Sequence, residues 1–582
     1  MKVKHFITFD NQENHWDNAL PLGNGVFGCM LFYEREKLHM PMNHYEVYYN
    51  ISDTVLPDDI LASLPECENP GALHKKYHSR AVANTPPDGE PHCLYRTDRE
   101  LAFREKEFGI AELSNTYPQT GELIFSFSEK LKASAHKLSL CVEDAATNLD
   151  ITSNEDSVKI KTIVSREDCI INEVSQSESG LLDEITVFFP TYRETKSNGS
   201  TFGANSVTYE QQDEHTVVYT VTYALSDKRS FTFSGGLKLS GATFEISEIS
   251  GNSAVLKIKE AQTDFSVLTG ICTEWKYENT KASALLKINE FTNHKKTLMT
   301  EHEKYWKEFF ARSSISIPDK FLEKVYIINQ YALDCCSGRD GIMKHHACGL
   351  NGLWAIRHPN IWGSMWYWDV NIQAAFAGVF SSNRLELAKV FSDGLLSYQK
   401  LAEYSANAVH GLPGVASDYP YDFYYSCWMW CAQYLWFLYE YSLDKEYLKS
   451  DAYPLFLKLC EFALGIFEYD ESTDTYNVYP DISPEQGPLA HNTVITVACT
   501  KYLFKFTLEA AKVLGDTTAI LEKIKKVLPK FPEYPITSSG KYGMRFKDSF
   551  DAPDNLWLRH PSLLMPVFPV GEFDMSSDDN TQ

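Results

Sequence analysis

Thr216-Val217-Val218-Tyr219-Thr220-Val221 puts Val217, Tyr219 and Val221 on one face of an extended chain and Thr216, Val218 and Thr220 on the other. Lys137-Leu138-Ser139-Leu140-Cys141-Val142 repeats this period of two. Successive strand residues point to opposite sides, so the alternation reads as half-buried strands. The pattern runs from about 110 to 275, punctuated by Asn, Ser and Gly clusters such as 196–206, and predicts a large antiparallel β-sandwich. Near 290 the period changes. Residues 292–312 read as helix, and from 321 the apolar positions Phe321, Val325, Ile328, Ala332 and Cys335 recur at steps of three and four. Roughly eight helices are predicted from there onward, among them 385–404, 424–442, 447–467 and 491–514. Long loops rich in Pro, Gly, Asp and aromatics separate them, and loops of that kind are where function tends to sit.

Composition sets the outer bounds. The 582 residues carry 54 Lys+Arg against 78 Asp+Glu, a formal charge of −24. A chain this acidic, without a basic run interleaved with aromatics, repels phosphate backbones, so neither nucleic acid nor an anionic membrane surface is an expected partner. No apolar stretch approaches the roughly 18 residues that a membrane span needs. The N-terminal Met-Lys-Val-Lys-His-Phe-Ile-Thr-Phe-Asp lacks the core of a signal peptide, and the expected location is cytoplasmic. The 13 cysteines are odd in number and scattered, with a vicinal pair at Cys335 and Cys336, as suits reduced thiols. Aromatic residues make up 13% of the chain, which suits a sugar-binding protein and equally a large core.

Several motifs are set aside by context. Gly23, Gly25 and Gly28 have the spacing of a dinucleotide fingerprint, but Pro21 precedes them and the strand-like Cys29-Met30-Leu31-Phe32-Tyr33 follows, so a turn between strands is expected. His74 with His78, and His345-His346 near Cys348, lack a complete ligand set; no metal site and no cofactor are expected. Cys427 and Cys431 lie on an aromatic helix with Trp428, Trp430 and Trp436 and are expected in the core.

The segment 362–373 is of another kind, concentrating Trp362, Trp366, Tyr367 and Trp368 around Asp369 and Asn371. Rings beside hydrogen-bonding groups are what a pyranose pocket needs, although an aromatic core with an Asp at a helix start would have the same composition. Residues 415–422, with Asp418, Tyr419, Tyr421 and Asp422, are a weaker second instance. Tyr479-Pro480-Asp481-Ile482-Ser483-Pro484-Glu485-Gln486-Gly487-Pro488 cannot be helical and presents Glu485 on a constrained loop. Against aromatic walls such a carboxyl would be desolvated into the range of a general acid; in water it would be an ordinary loop glutamate.

Taken in order, these segments resemble glycoside hydrolase family 95, the inverting α-L-fucosidase and α-L-galactosidase family. The resemblance is carried by residues 19–25 through Asn43, by Tyr117 through Leu123, by His302-Glu303 through Phe310, by 349–354 and 362–373, by 430–458, by Ser483-Pro484-Glu485, and by Arg559 through Leu563 with Phe568-Pro569. It covers nearly the whole chain. It implies an N-terminal β-sandwich over 1–285, a helical linker over 286–318 and an (α/α)6 toroid over 319–582. It further implies Glu485 as general acid, Asn371 as one of two amides positioning the catalytic water, and Arg559 with His560 as sugar contacts; Trp362, Trp366, Tyr367 and Trp368 are the expected aromatic walls.

Three departures bear on mechanism. The first water-positioning amide is replaced by Asp369, and a sugar-contacting histidine by Tyr367. The family's general base stands in a segment beyond the Arg-His motif, and the sequence ends at Gln582 before any such segment, so the expected barrel is incomplete. Asp369 is the expected replacement base. An inverting hydrolase requires a protonated carboxyl on the leaving oxygen and a base on a water at the opposite face, roughly 6.5 to 9.5 Å away. The expectation is therefore an exo-acting glycosidase on oligosaccharides. Two alternatives stand beside it: a glycoside phosphorylase of similar architecture, with Arg357, His358 and Arg559 available for phosphate, and a non-catalytic carbohydrate-binding protein.

Overall fold

The computed structural model describes residues 4–47, 119–193, 201–203, 206–226, 229–338, 349–355, 368–416, 423–484, 489–539, 541, 543–554, 556, 558, 560–574 and 576–577. They fall into two compact units, 4–47 with 119–355 and 368–577.

The first unit is built on an antiparallel sheet of fourteen strands. From one edge, Phe6–Asp10, Ala135–Cys141, Ala146–Thr152, Ser157–Val164 and Cys169–Gln176 lead to the long strand Ser253–Thr273, beyond which come Leu182–Phe188, Glu122–Phe127, Lys37–His44, Phe27–Glu34 and Leu20–Gly23. The strand Ser253–Thr273 also pairs with Arg229–Ser250, which pairs with Thr216–Ser226 and through it with Ser206–Gln211. Register shifts between Ser240 and Phe244 bend the two long strands, and such bulges let one strand serve two layers. Directly paired positions Leu138, Leu149, Ile160 and Val174 form one apolar row, each at most 2% exposed. The apolar faces at 137–142 and 216–221 are buried as expected, but these strands are not half-buried, since Ser139, Cys141, Thr216 and Val218 on the opposite faces are buried too.

Glycines 23, 25 and 28 form the predicted turn between Leu20–Gly23 and Phe27–Glu34. Gly25 has φ +95°, its amide donates to the Cys335 carbonyl at 2.7 Å, and a Cβ there would stand 2.3 Å from the Ser337 carbonyl oxygen, so only glycine fits. The Asn24 side chain closes the turn, accepting from the amides of Val26 and Phe27 and donating to the Ser165 carbonyl.

Two helices complete this unit. Thr280–Arg312 is capped by Asn279, whose side chain accepts from the Ala282 amide, and it lies close on the sheet where Gly236 faces Ile288. Lys320–Cys336 is capped by Asp319, which accepts from the amides of Phe321 and Leu322. Its buried face carries Glu323, Ile327, Gln330, Tyr331, Asp334 and Cys335, whereas Phe321 is 73% exposed. The apolar stripe through Phe321, Val325 and Ile328 is thus not the inward one. Buried polar groups displaced it: Glu323 accepts from the Ile317 amide and Lys320, and Asp334 accepts from the Tyr305 hydroxyl.

The second unit is helical: Leu385–Ser397, Gln399–Ser405, Ser426–Ser442, Tyr453–Ile466, Val494–Leu514 and Ala519–Val527 are its longer helices. Ser426–Ser442 is apolar around its circumference, buried continuously from Ser426 to Trp436, and packs against Leu385–Ser397, Tyr453–Ile466 and Val494–Leu514. Pro454 opens its helix at a position where no amide is needed, and Gly515, at φ +72°, ends Val494–Leu514. The ten described cysteines are all buried and none is in a disulfide with another described residue. Among the described residues no helix is long and apolar enough to cross a membrane.

Candidate functional site

Asp369 stands in the turn 368–370, immediately before the short helix Asn371–Phe376. The Trp368 carbonyl accepts a hydrogen bond from the Cys427 thiol at 2.8 Å and another from the Gln373 side-chain amide, with the Cys431 sulfur at 4.0 Å. Cysteines four apart share one helix face, so both thiols meet the same carbonyl. The Trp368 indole is buried, edge-on to Phe391 at 5.6 Å and to Tyr398 at 6.0 Å. Val370 has φ +81° and ψ −41°. That is γ-turn backbone, strained for a β-branched residue by an order of 1–3 kcal/mol, and it persists only where its surroundings over-determine it. The clamped carbonyl on one side and the helix on the other supply that determination, and the strained turn aims Asp369.

The Asp369 carboxyl is 3% exposed, and its Oδ1 lies 2.8 Å from Nδ1 of His560, whose side chain is 16% exposed. A buried carboxylate without a partner is costly, and the imidazole supplies one. Tyr424 is also fully buried; burial first, and the charge of Asp369 second, push its phenol well above the usual range, so it stays protonated.

A second carboxyl cluster fixes the segment that leads to Glu485. Asp481 is wholly buried and accepts from the Thr493 amide, the Thr493 hydroxyl and the Thr496 hydroxyl, each at 2.8 Å. Thr493 is the N-cap of Val494–Leu514, so Asp481 ties the segment 481–484 to a helix N-terminus. Desolvation nevertheless pushes Asp481 up to about 7 against the pull of those donors, and nearby Asp548 adds to the rise. Asp548, 2% exposed, is pushed up to about 6, again by burial. Ser483 stands beside it and offsets this slightly, without reaching hydrogen-bond geometry. The Ile482 amide donates to the Phe423 carbonyl at 3.1 Å, and the Ser562 hydroxyl donates to the Pro484 carbonyl at 3.2 Å.

Three sequence motifs therefore meet within the second unit. Asp369 touches His560, and Ser562, two residues on, touches Pro484. Asn371 opens its helix beside Asp369 and is half-buried. Glu485, Trp362, Trp366, Tyr367 and Arg559 lie outside the described residues, as do His74, His78, His345, His346, Cys348 and 417–422. Cys427 and Cys431 are core residues, as expected, and also hold the turn at Trp368. The Asp481–Asp548 pair, Tyr424 and Ser562 went unread in the sequence. Only the cysteine spacing offered a signal. Among the described residues no group of three or more His, Cys, Asp or Glu has the geometry to hold a metal ion.

Residues 277–582 match the profile of the glycosyl hydrolase family 95 catalytic domain. Among curated proteins, alpha-L-fucosidase 2 of Arabidopsis thaliana is 22% identical over 245 residues, covering 38% of this chain and 29% of that protein. The match thus spans under a third of the relative's length. Among solved structures, one described as a putative kojibiose phosphorylase from human microbiome superposes with a TM-score of 0.59 at 11% identity, over 90% of this chain and 70% of the other. At that identity the likeness is one of fold, an N-terminal antiparallel sheet followed by a helical region of (α/α)6 type.

Proposed function

The chain belongs to glycosyl hydrolase family 95, and from that premise we propose that it is an inverting, exo-acting glycosidase releasing α-L-fucose or α-L-galactose from oligosaccharides. The observation that carries this reading is the convergence of the Asp369 turn, the segment ending at Pro484 and the His560–Ser562 segment on one site. Glu485, next after Pro484, is the acid that protonates the leaving oxygen. Asp369 supplies the negative charge on the water side, and Asn371 helps place that water. Arg559 and His560 contact the sugar, whose apolar face packs on Trp362, Trp366 and Tyr367; Trp368 backs the pocket through its packing on Phe391 and Tyr398. No resident cofactor enters this mechanism.

The test is hydrolysis of nitrophenyl glycosides, α-L-fucoside, α-L-galactoside, β-D-galactoside and α-D-mannoside, by the full chain and by Glu485→Gln. Turnover of an α-L-glycoside, with the α-sugar released as its β-anomer and the rate lost at least ~100-fold in the variant, is expected. Release of a sugar phosphate when phosphate is added would instead make it a phosphorylase. Absence of turnover for every glycoside would refute the glycosidase reading.

A further inference from the structure

The loop that carries Glu485 is closed at its base. Asp481 and Ala490 pair as an antiparallel bridge, the Ala490 amide donating to the Asp481 carbonyl at 2.9 Å, and the Asn492 amide donates to the Val478 carbonyl at 3.1 Å. Tyr479 and His491 flank this closure, one on each arm of the loop, and their rings lie 4.4 Å apart and 30° from parallel. The His491 amide donates to Oδ2 of Asp551 at 2.8 Å, and Nδ1 of the same histidine lies 2.7 Å from that oxygen. Asp551 is itself held in place, since it follows closely on Asp548, whose carbonyl accepts from the Val494 amide at 2.7 Å.

Stability does not account for this group. The side chains of His491 and Asp551 are 46% and 50% exposed, and an ion pair so open to water adds little to a fold while costing side-chain freedom. Three polar atoms, Oη of Tyr479, Nε2 of His491 and Oδ1 of Asp551, have no hydrogen-bond partner among the described residues. The hydrogen bond from His491 holds the Asp551 carboxyl below its usual range, so near neutral pH it is ionised and accepts. Rings beside fixed polar atoms are what a pyranose needs: an apolar sugar face packs on the rings, and the carboxylate, phenol and imidazole take its hydroxyls. From this geometry we propose that Tyr479, His491 and Asp551 form a binding site for a pyranose of the leaving group, beyond the glycosidic bond that is cut. The proposal rests on the glycosidase reading and deepens it. The oxygen that the acid protonates departs with the leaving group, so groups at the base of the acid's own loop adjoin that side of the bond.

The experiment compares two substrates of the same α-L-sugar in the full chain, its nitrophenyl glycoside and the trisaccharide in which it caps lactose. Both use the same acid, and only the trisaccharide offers pyranoses to the proposed site. His491→Ala, Asp551→Ala and Tyr479→Ala should each lower the ratio of kcat/KM for the trisaccharide to kcat/KM for the aryl glycoside at least ~10-fold. Free lactose should inhibit wild-type cleavage of the aryl glycoside, and its inhibition constant should rise by a similar factor in these variants. Asp551→Asn and Tyr479→Phe, which keep volume and packing, should lower the ratio at least ~3-fold and carry the test where an alanine variant does not fold. If the three residues only hold the acid loop, both substrates slow together and the ratio stays within ~2-fold of wild type. That result, or wild type that cleaves the aryl glycoside and not the trisaccharide, overturns the binding site while leaving the glycosidase intact. No turnover of either substrate by wild type would overturn both.

Discussion

Asp548 gives a prediction whose sign and size both follow from its surroundings. Its carboxyl is 2% exposed and titrates near 6 in the folded chain against an ordinary 3.8. The folded state therefore holds this proton more tightly than the unfolded chain does. The resulting stabilisation is fully present below about pH 4, declines as pH rises through 6, and is gone above. At about 1.36 kcal/mol per pKa unit, the part lost between pH 5 and pH 8 is on the order of 1 kcal/mol. Asp548→Asn removes this titration while keeping shape. Whatever constant offset the amide introduces, the variant should lose on the order of 1 kcal/mol less than wild type over that interval, or about 2–4 °C in melting temperature for a unit of this size. The assay is thermal or urea unfolding of both proteins at pH 5, 6, 7 and 8 and constant ionic strength, followed as the difference between them, so that groups common to both cancel apart from Asp481, whose smaller rise in the variant adds in the same direction. Parallel curves, or a variant that falls more steeply, would refute the assignment of a raised carboxyl at 548.

Val370→Gly should relieve an order of 1–3 kcal/mol of turn strain and so leave the melting temperature at or above that of wild type, while kcat falls at least ~10-fold because Asp369 is no longer aimed; unchanged kcat would refute the aiming role. Gly25→Ala forces an L side chain to φ +95° and sets its Cβ 2.3 Å from the Ser337 carbonyl oxygen, so a loss of about 2–4 kcal/mol is expected by denaturant unfolding, and a loss under about 1 kcal/mol would show that the turn relaxes freely.

Periodicity made the fold class legible because the inner strands alternate their large apolar residues toward the core and the central helices are long. Thr216–Ser226 and Val494–Leu514 follow directly from it. The helix Lys320–Cys336 was legible as a helix but not in its phase, since Glu323 and Asp334 are buried with their own partners and a hydrophobicity count ranks them outward. At the site, Asp369 and His560 were each singled out, Asp369 as an acid among rings and His560 through the family resemblance, yet nothing in either motif says that they touch. Their contact depends on how 190 residues between them fold. Asp481 and Asp548 were invisible for the same reason, because a carboxyl 67 positions away decides whether a loop aspartate is buried beside another.

The second unit buries three aspartates, and it manages each differently. Asp481 accepts three donors at a helix N-terminus, and desolvation still brings its proton within reach of neutral pH. The carboxyl of Asp548, raised by burial, has no hydrogen-bond partner in geometry among the described residues, although the backbone carbonyl of Asp548 accepts from the Val494 amide at 2.7 Å. Both answers settle a resting charge: the threonine donors hold Asp481, and Asp548 stands beside Ser483 and near Asp481. Asp369 lies 2.8 Å from the imidazole of His560, a titratable partner whose side chain is 16% exposed. Burial that serves purely to hold a loop is compatible with all three arrangements, so it is the physical difference between these carboxyls, rather than their number, that distinguishes one from another.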